Sequence, residues 1–555
     1  MGTILPMTTD TPLDALVIGA GPTGLAAATD LIRHGMRIRI LDKAAAPSPL
    51  SKAVVLMPRS LEEFKIRGLD QKALALGEKI HSFSAFNHRE IIFRVEYNRA
   101  SSRYNYLVNI PQSDTEKVLR EELTRLGGTI EWNTEMQSFT DHGDHVSVVI
   151  KNPDGKSETI QTAYLCGCGG AHSATRHGLN FEFVGAEYQD AWKLADVSID
   201  WRFPHGHSYA FFSDSGLLAV FPMPKGNYRI YTIQPKTKIL GRDLTLEDVA
   251  TTVESIVPGL CKISNPTWMT EFHCHHRHVN SYSRGRVFIG GDAAHIHSPE
   301  SGLGMNTGIQ DSYNLAWKLA YVRKGIVPPV VLDTYSSERA QVGREVVELS
   351  DFSHKVSAQF NILATMFRDS LWRFFSHYYK NNWKEFEKGL QLTVHYHPNL
   401  VVENHGATES LKDDAFEGTA GTRCIDRNLL PTTPDASPTS LYHLLDPVKF
   451  HLLILTGANP TTETHASIKN LISLVEPIRE HLRVILVIAG QDSAAFSSCT
   501  ADLFLDPAME FHFTYGAQKG GLFLIRPDAY IGLSTRPIRV PEAEKFLRKL
   551  FVKLA

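Results

Sequence analysis

The run LDALVI at residues 13–18 is apolar at nearly every position, and the period then changes twice: GAGPTGLAAATDLIRHG takes helical spacing and MRIRIL returns to an apolar run. Short apolar runs without alternation predict strands buried on both faces, here Ala15 to Ile18 and a second strand ending at Asp42, joined by a helix. In SKAVVLMPRSLEEFKIRGL the spacing predicts another helix, capped by Ser60 and carrying Glu62 and Glu63 in its first turn. Residues 80–110 alternate raggedly, as short antiparallel strands do. A helix follows from Ser113 or Asp114, with Val118, Leu119, Leu123 and Leu126 on one stripe and Gly127 and Gly128 at its end. Residues 129–151 and 158–166 alternate around the turn NPDGK.

From 180 to 280 alternation dominates, in HSYAFFS, GLLAVFPMP and NYRIYTIQ, so this part is expected to be an antiparallel sheet. GRVFIGG then predicts a buried strand and a glycine-rich turn leading into a long helix. Residues 333–400 read as aromatic-rich helices, 401–440 as a polar connection without periodicity, and 441–555 as strands alternating with helices. The fold class is therefore mixed α/β. The expected parts are a Rossmann-like nucleotide-binding domain at 1–179, lending 80–112 to the sheet domain at 180–280, a return to the first domain at 281–400, a linker at 401–440 and a C-terminal module at 441–555.

The first strand, helix and strand frame a G-x-G-x-x-G pattern at Gly19, Gly21 and Gly24, with Pro22 and Thr23 between the glycines. Physically, one glycine turns the chain, the second admits a pyrophosphate, and the third lets helix and strand pack closely. Asp42, 18 residues after Gly24 and followed by Lys43, suits a ribose hydroxyl pair. The pattern alone leaves FAD and NAD open.

Composition narrows the partners. With 57 basic against 60 acidic residues, no charge excess draws the chain to nucleic acid or an anionic membrane. Six scattered cysteines make neither a secreted disulfide framework nor a zinc site, and no run approaches a spanning helix. A cytoplasmic protein is the expectation.

GRVFIGGDAAHIHSPESGLGMNTGIQD at 285–311, taken with the first motif and with PRSLEEF and IPQSDTEKVL, resembles the FAD-dependent aromatic hydroxylases typified by para-hydroxybenzoate and phenol hydroxylases. That resemblance decides for FAD. It implies that Asp292 holds the ribityl chain, that Pro299, Gly302, Gly304, Met305 and Asn306 face the flavin ring, and that Arg59, Gln112 and Lys52 lie beside it. The C-terminal module, ending in RPDAYIGL, resembles the thioredoxin-like domain of the phenol hydroxylase branch but lacks C-x-x-C, so a structural role or dimer contacts are implied. In the family NADH or NADPH reduces the flavin, oxygen adds at C4a, and one oxygen atom passes to an electron-rich aromatic ring.

Two positions depart from the family. CGCGGAHSATR carries Gly169 where an acid is usual beside the pyrophosphate, a loss worth on the order of 1.5–3 kcal/mol of charge-assisted contact. Lys52 stands where arginine is common and lacks the bidentate fork. Val54 or Val55 occupies the place of the phenol hydroxylase acid, leaving proton transfer to other candidates: His276 and His278, which alternation puts on one face of EFHCHHRHVNSY, and Tyr231. Tyr209, Phe221 and Met223 are expected to line a substrate pocket. A flavoenzyme with altered chemistry, an oxidase or a rearrangement or cyclisation catalyst, is the alternative to hydroxylation. Two-residue spacing on a strand with no acid or thiol partner argues against a metal site.

Overall fold

The computed structural model describes residues 12–49, 51, 53–88, 90–235, 239–298, 302–358, 362–406, 418–433, 436–490 and 493–555. The apolar runs of the first domain become adjacent parallel strands in the order 287–289, 157–167, 13–18, 38–41 and 130–131. Their centres, Leu16, Leu165 and Phe288 among them, are buried because helices cover both faces of a parallel sheet. Ile18 lies opposite Gly167, and Gly167 opposite Ile289. Three strands thus end at one level. The hairpin Glu135–Asp141 and Val146–Lys151 extends the same sheet.

Helices follow in order: α1 Pro22–Arg33, α2 Pro58–Ile66, α3 Asp70–Leu76, α4 Gln112–Arg125, α5 Ala174–Gly178, α6 Leu246–Ile256, α7 Gly304–Arg323, α8 Asp333–Ser357, α9 Ile362–Asn381 and α10 Trp383–Glu387. Two starts differ from the expectation. α2 begins at Pro58, before Ser60, and α4 at Gln112, before Ser113. In α2 proline fills N1, where its missing N–H costs nothing, so no side-chain cap is required. α7 is the central helix. Met305 to Tyr321 is buried throughout, including Asn306, Asp311, Asn314 and Lys318, so each polar group on it needs a partner inside the protein.

The middle sheet runs in the order 295–296, 262–278, 184–200, 228–233, 216–222, 207–213, 82–87 and 90–96. Its pairings are antiparallel except that 207–213 runs parallel to 82–87. One face, with Trp192, Phe212 and Tyr231, belongs to a core that also holds Val54, Val55 and Leu303. The other face, with Tyr209, Phe211 and Tyr228, packs under α6. That helix stands in a stretch expected to be mainly an antiparallel sheet. It starts at a capping box between Thr245 and Asp248 and buries Val249, Val253 and Ile256.

The C-terminal sheet has the order 403–406, 531–536, 521–525, 450–455, 482–488, 502–505, 428–431 and 439–440. Its central strand Phe450–Leu455 is parallel to Leu482–Ile488 and antiparallel to Gly521–Ile525. The strands Glu403–Gly406 and Asn428–Pro431 fall in the stretch expected to be a linker. Short strands held by backbone hydrogen bonds, 403–406 at the sheet edge and 428–431 between 502–505 and 439–440, need no side-chain alternation, so periodicity does not reveal them. This sheet and the middle sheet share one core, where Phe450 meets Trp317 and Tyr321 of α7 edge-on at 5.3 and 5.4 Å. Among the described residues no helix is long and apolar enough to cross a membrane.

Candidate functional site

Three loops leave the carboxyl ends of the aligned strands 13–18, 157–167 and 287–289, the place where open parallel sheets bind ligands. Gly19 has φ +103°, and a Cβ there would overlap the Cys168 carbonyl; at Gly24 it would overlap the Gly19 carbonyl. At Gly21, the residue before α1, an added Cβ meets no atom within 4 Å. Room is thus left beside the N-terminus of α1, where a helix start favours an anion such as a pyrophosphate. Asp42 is held at this turn, its Oδ2 accepting from Ala20 N at 2.7 Å and its Oδ1 from Ala44 N at 2.8 Å. Lys43 is exposed next to it.

The second and third loops close on the first. Thr23 fits against Gly291 and Gly308, where a Cβ would strike its hydroxyl, and its carbonyl accepts from Ser312 Oγ at 2.7 Å. So α1 and α7 pack glycine to side chain, and Asp292 stands exposed at the turn between them. Arg176 of α5, after the second loop, donates to Ala293 O of the third at 3.3 Å. Gly169 lies beside Gly19; it is exposed, and a Cβ on it would find only Ser173, at 3.7 Å.

At the start of α7, Asn306 clamps the chain after residue 53. Its Oδ1 accepts from Met57 N at 2.9 Å, and its Nδ2 donates to Val55 O at 2.9 Å and Gly302 O at 2.8 Å. Gly302, at φ +63°, comes within 3.4 Å of Val55 and Met57 by the same measure, so Val54 and Val55 present an apolar surface next to this loop. Gln112 fixes the segment from the other side: its Oε1 accepts from Ala53 N at 3.1 Å and its N–H donates to Ser51 Oγ at 2.6 Å. Lys52 and Pro299 lie outside the described residues. Behind the loop, Asp311 Oδ2 accepts from Gly291 N at 2.9 Å and lies 3.0 Å from His295 Nε2, while Arg339 Nε donates to Asp311 Oδ1 at 2.7 Å. Burial pushes the Asp311 carboxyl up, but Arg339 and His295 outweigh it and hold it below the ordinary range. The His297 imidazole is pulled down to about 4 by burial.

The FAD binding domain family model matches residues 12–350, which takes in all three loops and the middle sheet. The chain belongs to this family. It is 36% identical over 346 residues to the 6-methylpretetramide 4-monooxygenase of Streptomyces rimosus; the alignment covers 61% of this chain and 61% of that relative, about three-fifths of each. It is 26% identical over 530 residues to pentachlorophenol 4-monooxygenase from Sphingobium chlorophenolicum, covering 93% and 92%. A crystal structure of the flavin-dependent monooxygenase PieE in complex with FAD and substrate shares the fold over 98% of this chain and 99% of that one, with TM-score 0.80 at 20% identity.

The described residues fit FAD: a cradle open at Gly21, an acid anchored at Asp42, and a buried helix starting at Gly304 whose positive end would suit negative charge on a flavin ring. Arg59 is placed differently from the expectation. Its guanidinium is fully buried between Glu62, at 3.1 Å, and Glu63, and donates to Asp528 O at 3.0 Å, over the Tyr530 ring. It joins the flavin-binding part to the C-terminal sheet.

On the middle sheet the structure separates residues that the sequence grouped together. Tyr231, Phe221 and Met223 share the face toward Val54 and Val55, with Phe221 and Tyr231 edge-on at 5.7 Å. Burial pushes the Tyr231 phenol up. Tyr209 is on the opposite face, packed among Trp201, Phe203 and Phe211 and donating to Pro204 O at 3.0 Å, so it lines no pocket on the flavin side. Alternation sends Tyr209 and Phe211 one way and Ala210 and Phe212 the other. His276 turns toward α8, where its Nδ1 is 3.8 Å from Asp351 Oδ1; Tyr188 donates to the same oxygen at 2.9 Å. His278 pairs across from His295. Burial pulls both imidazoles down, in His276 against the opposing Asp351. The rings of Tyr188, His354 and Trp192 stand between His276 and Tyr231.

One residue of this face was missed: Arg229. Fully buried next to Tyr231, it is held in a fork by Asp196 at 2.7 Å on each oxygen, and its Nη1 reaches Ala53 O at 3.3 Å. The signal was available in YRIYTIQ, because a charged residue on the inward face of a strand needs a reason to be there.

Proposed function

We propose that this protein is an FAD-dependent monooxygenase that uses NADH or NADPH and O2 to hydroxylate a phenolic or polyketide-like aromatic compound. The observation that carries this reading is the convergence of three loops on a glycine cradle beside an inward aromatic face of the middle sheet. The monooxygenase names of its relatives support it. When bound, FAD would supply the redox chemistry, taking electrons from the nicotinamide and activating oxygen. The chain supplies placement. Gly21 and the N-terminus of α1 receive the pyrophosphate, Asp42 the adenosine ribose, Asp292 the ribityl hydroxyls, and the first turn of α7 the ring. Tyr231, Phe221, Met223, Val54 and Val55 hold an aromatic substrate against that ring and exclude water, which would otherwise hydrolyse reactive species. Arg229, fixed by Asp196, orients the segment at Ser51 and Ala53. His276, beside Asp351, and His278 are the candidates for proton transfer on the outer side of the Tyr188, His354 and Trp192 rings. The C-terminal module serves structure, since it has no C-x-x-C.

Purified protein is expected to be yellow, to bleach when NADH or NADPH is added, and to bleach faster with a phenol, giving a product heavier by one oxygen. A colourless protein that takes up no FAD would overturn the reading. The apolar pair Val54 and Val55, in place of a base, favours a second one: a flavoenzyme of the same fold that catalyses oxidation, rearrangement or cyclisation without a nicotinamide. Bound FAD that neither nucleotide bleaches would favour it.

A further inference from the structure

The loop Arg526–Tyr530, which begins RPDAYIGL, turns inward from the C-terminal sheet and is buried against α7 and α8. Arg526 donates to both oxygens of Glu338, at 2.7 and 2.9 Å. Asp528 Oδ2 accepts from Asn314 Nδ2 and Trp317 Nε1, each at 3.2 Å, and Glu338 Oε2 accepts from Asn314 and Lys318 at 2.7 Å. Every charge in this set is withdrawn from water, so each holds its partner in one arrangement.

Two paths run from the loop to the candidate flavin site. The first is direct, through Asn314 and Trp317 on α7. The second starts at Tyr530, whose ring lies 4.4 Å from that of Tyr396. Tyr396 Oη accepts from Arg339 Nη1 at 3.1 Å, Arg339 binds Asp311, and Asp311 holds Gly291 N, one residue before Asp292. All these side chains are buried. Packed interiors shift between discrete arrangements and do not deform smoothly, so the position of the loop fixes the position of the turn.

We infer that Arg526–Tyr530 is a positioning element of the FAD site: through Tyr396, Arg339 and Asp311 it sets the Gly291–Asp292 turn, and through Asn314 and Trp317 it sets α7. The inference rests on the reading that FAD binds here. The C-terminal sheet then acts on the cofactor although it supplies no group that touches it.

The test uses the full chain, freed of FAD and titrated with it, reading the dissociation constant, the visible circular dichroism of bound FAD at saturation and the melting of the apoprotein. Tyr396→Phe removes a single hydroxyl. It is expected to weaken FAD about tenfold, as loss of a hydrogen bond to a charged group does, and to change the flavin dichroism; the apoprotein melts lower as well, because Arg339 loses a buried acceptor. Asp528→Asn is expected to weaken FAD at least as much. Tyr530→Phe removes a hydroxyl that has no hydrogen-bond partner among the described residues, and is expected to change none of the three readings. Wild-type affinity and dichroism in folded Tyr396→Phe would overturn the inference. A wild-type chain that takes up no FAD would instead overturn the reading beneath it.

Discussion

At Gly24 an added Cβ would overlap the Gly19 carbonyl, whereas at Gly21 it would meet nothing within 4 Å, although the two glycines belong to one motif. The space at Gly21 leaves room for a ligand, and the contact at Gly24 is for the fold. Gly21→Ala is expected to melt like wild type as apoprotein and to lose most FAD affinity, because the methyl group occupies the pyrophosphate approach. Gly24→Ala is expected to destabilise the apoprotein itself by several kcal/mol, about 1–3 or more for overpacking against backbone that cannot retreat. Differential scanning calorimetry with an FAD titration separates the two, and equal melting losses would contradict the assignment. Gly169 is of the first kind. Its open surroundings accept a carboxylate, so the departure from the family at this position reflects no steric conflict within the described residues.

The strand is the unit that sorts Tyr209 from Tyr231. Both lie in alternating segments of the middle sheet, and alternation states that a strand has two faces but not which face an outside element covers. α6 covers the Tyr209 face, and the segment around Val54 meets the Tyr231 face. Tyr231→Phe is accordingly expected to alter substrate-dependent flavin reduction, and Tyr209→Phe to leave it within about twofold of wild type, since an outer-face hydroxyl bonded to a loop carbonyl is worth ~1 kcal/mol of stability and touches no ligand. Stopped-flow reduction with and without a phenol measures this. An equal effect of both changes would show that the faces have been misassigned. Residues 401–440 carry the same lesson, because the short strands at 403–406 and 428–431 are specified by neighbouring backbones and not by their own side chains.

Across the whole molecule, three buried histidines make stability depend on pH. His34 and His451 are pulled down to about 3 and His297 to about 4, by burial first; at His34 Lys324 and Arg67 add to this against Asp30, and at His451 Arg483 and Lys449 do. Each binds its proton more weakly folded than unfolded. The unfolded chain thus takes up protons first, and stability falls as pH drops below the unfolded value near 6.5, levelling off only below the folded values. At pH 5.5 the loss is about 1.4 kcal/mol for each, roughly 4 for the three together. Urea midpoints at pH 7.5 and 5.5 are expected to differ accordingly, and a midpoint independent of pH would show that these rings are solvated. The three sites sit in different parts of the chain, two on the flavin-binding side and one on the C-terminal sheet, so the effect reads the fold as a unit.

The local parts were legible in the residues alone: the parallel strands, the glycine cradle, the acid at Asp42 and the helix that opens at Gly304. These depend on runs, spacings and backbone freedom that a few neighbouring residues settle. Which of them meet is set by the folded chain. That Thr23 wedges between Gly291 and Gly308, that Arg229 reaches Ala53, and that Arg59 belongs to the C-terminal junction all depend on contacts between positions far apart in the chain. No local pattern encodes such contacts, because a buried arginine satisfies the same chemistry against any carboxylate or carbonyl the fold brings to it.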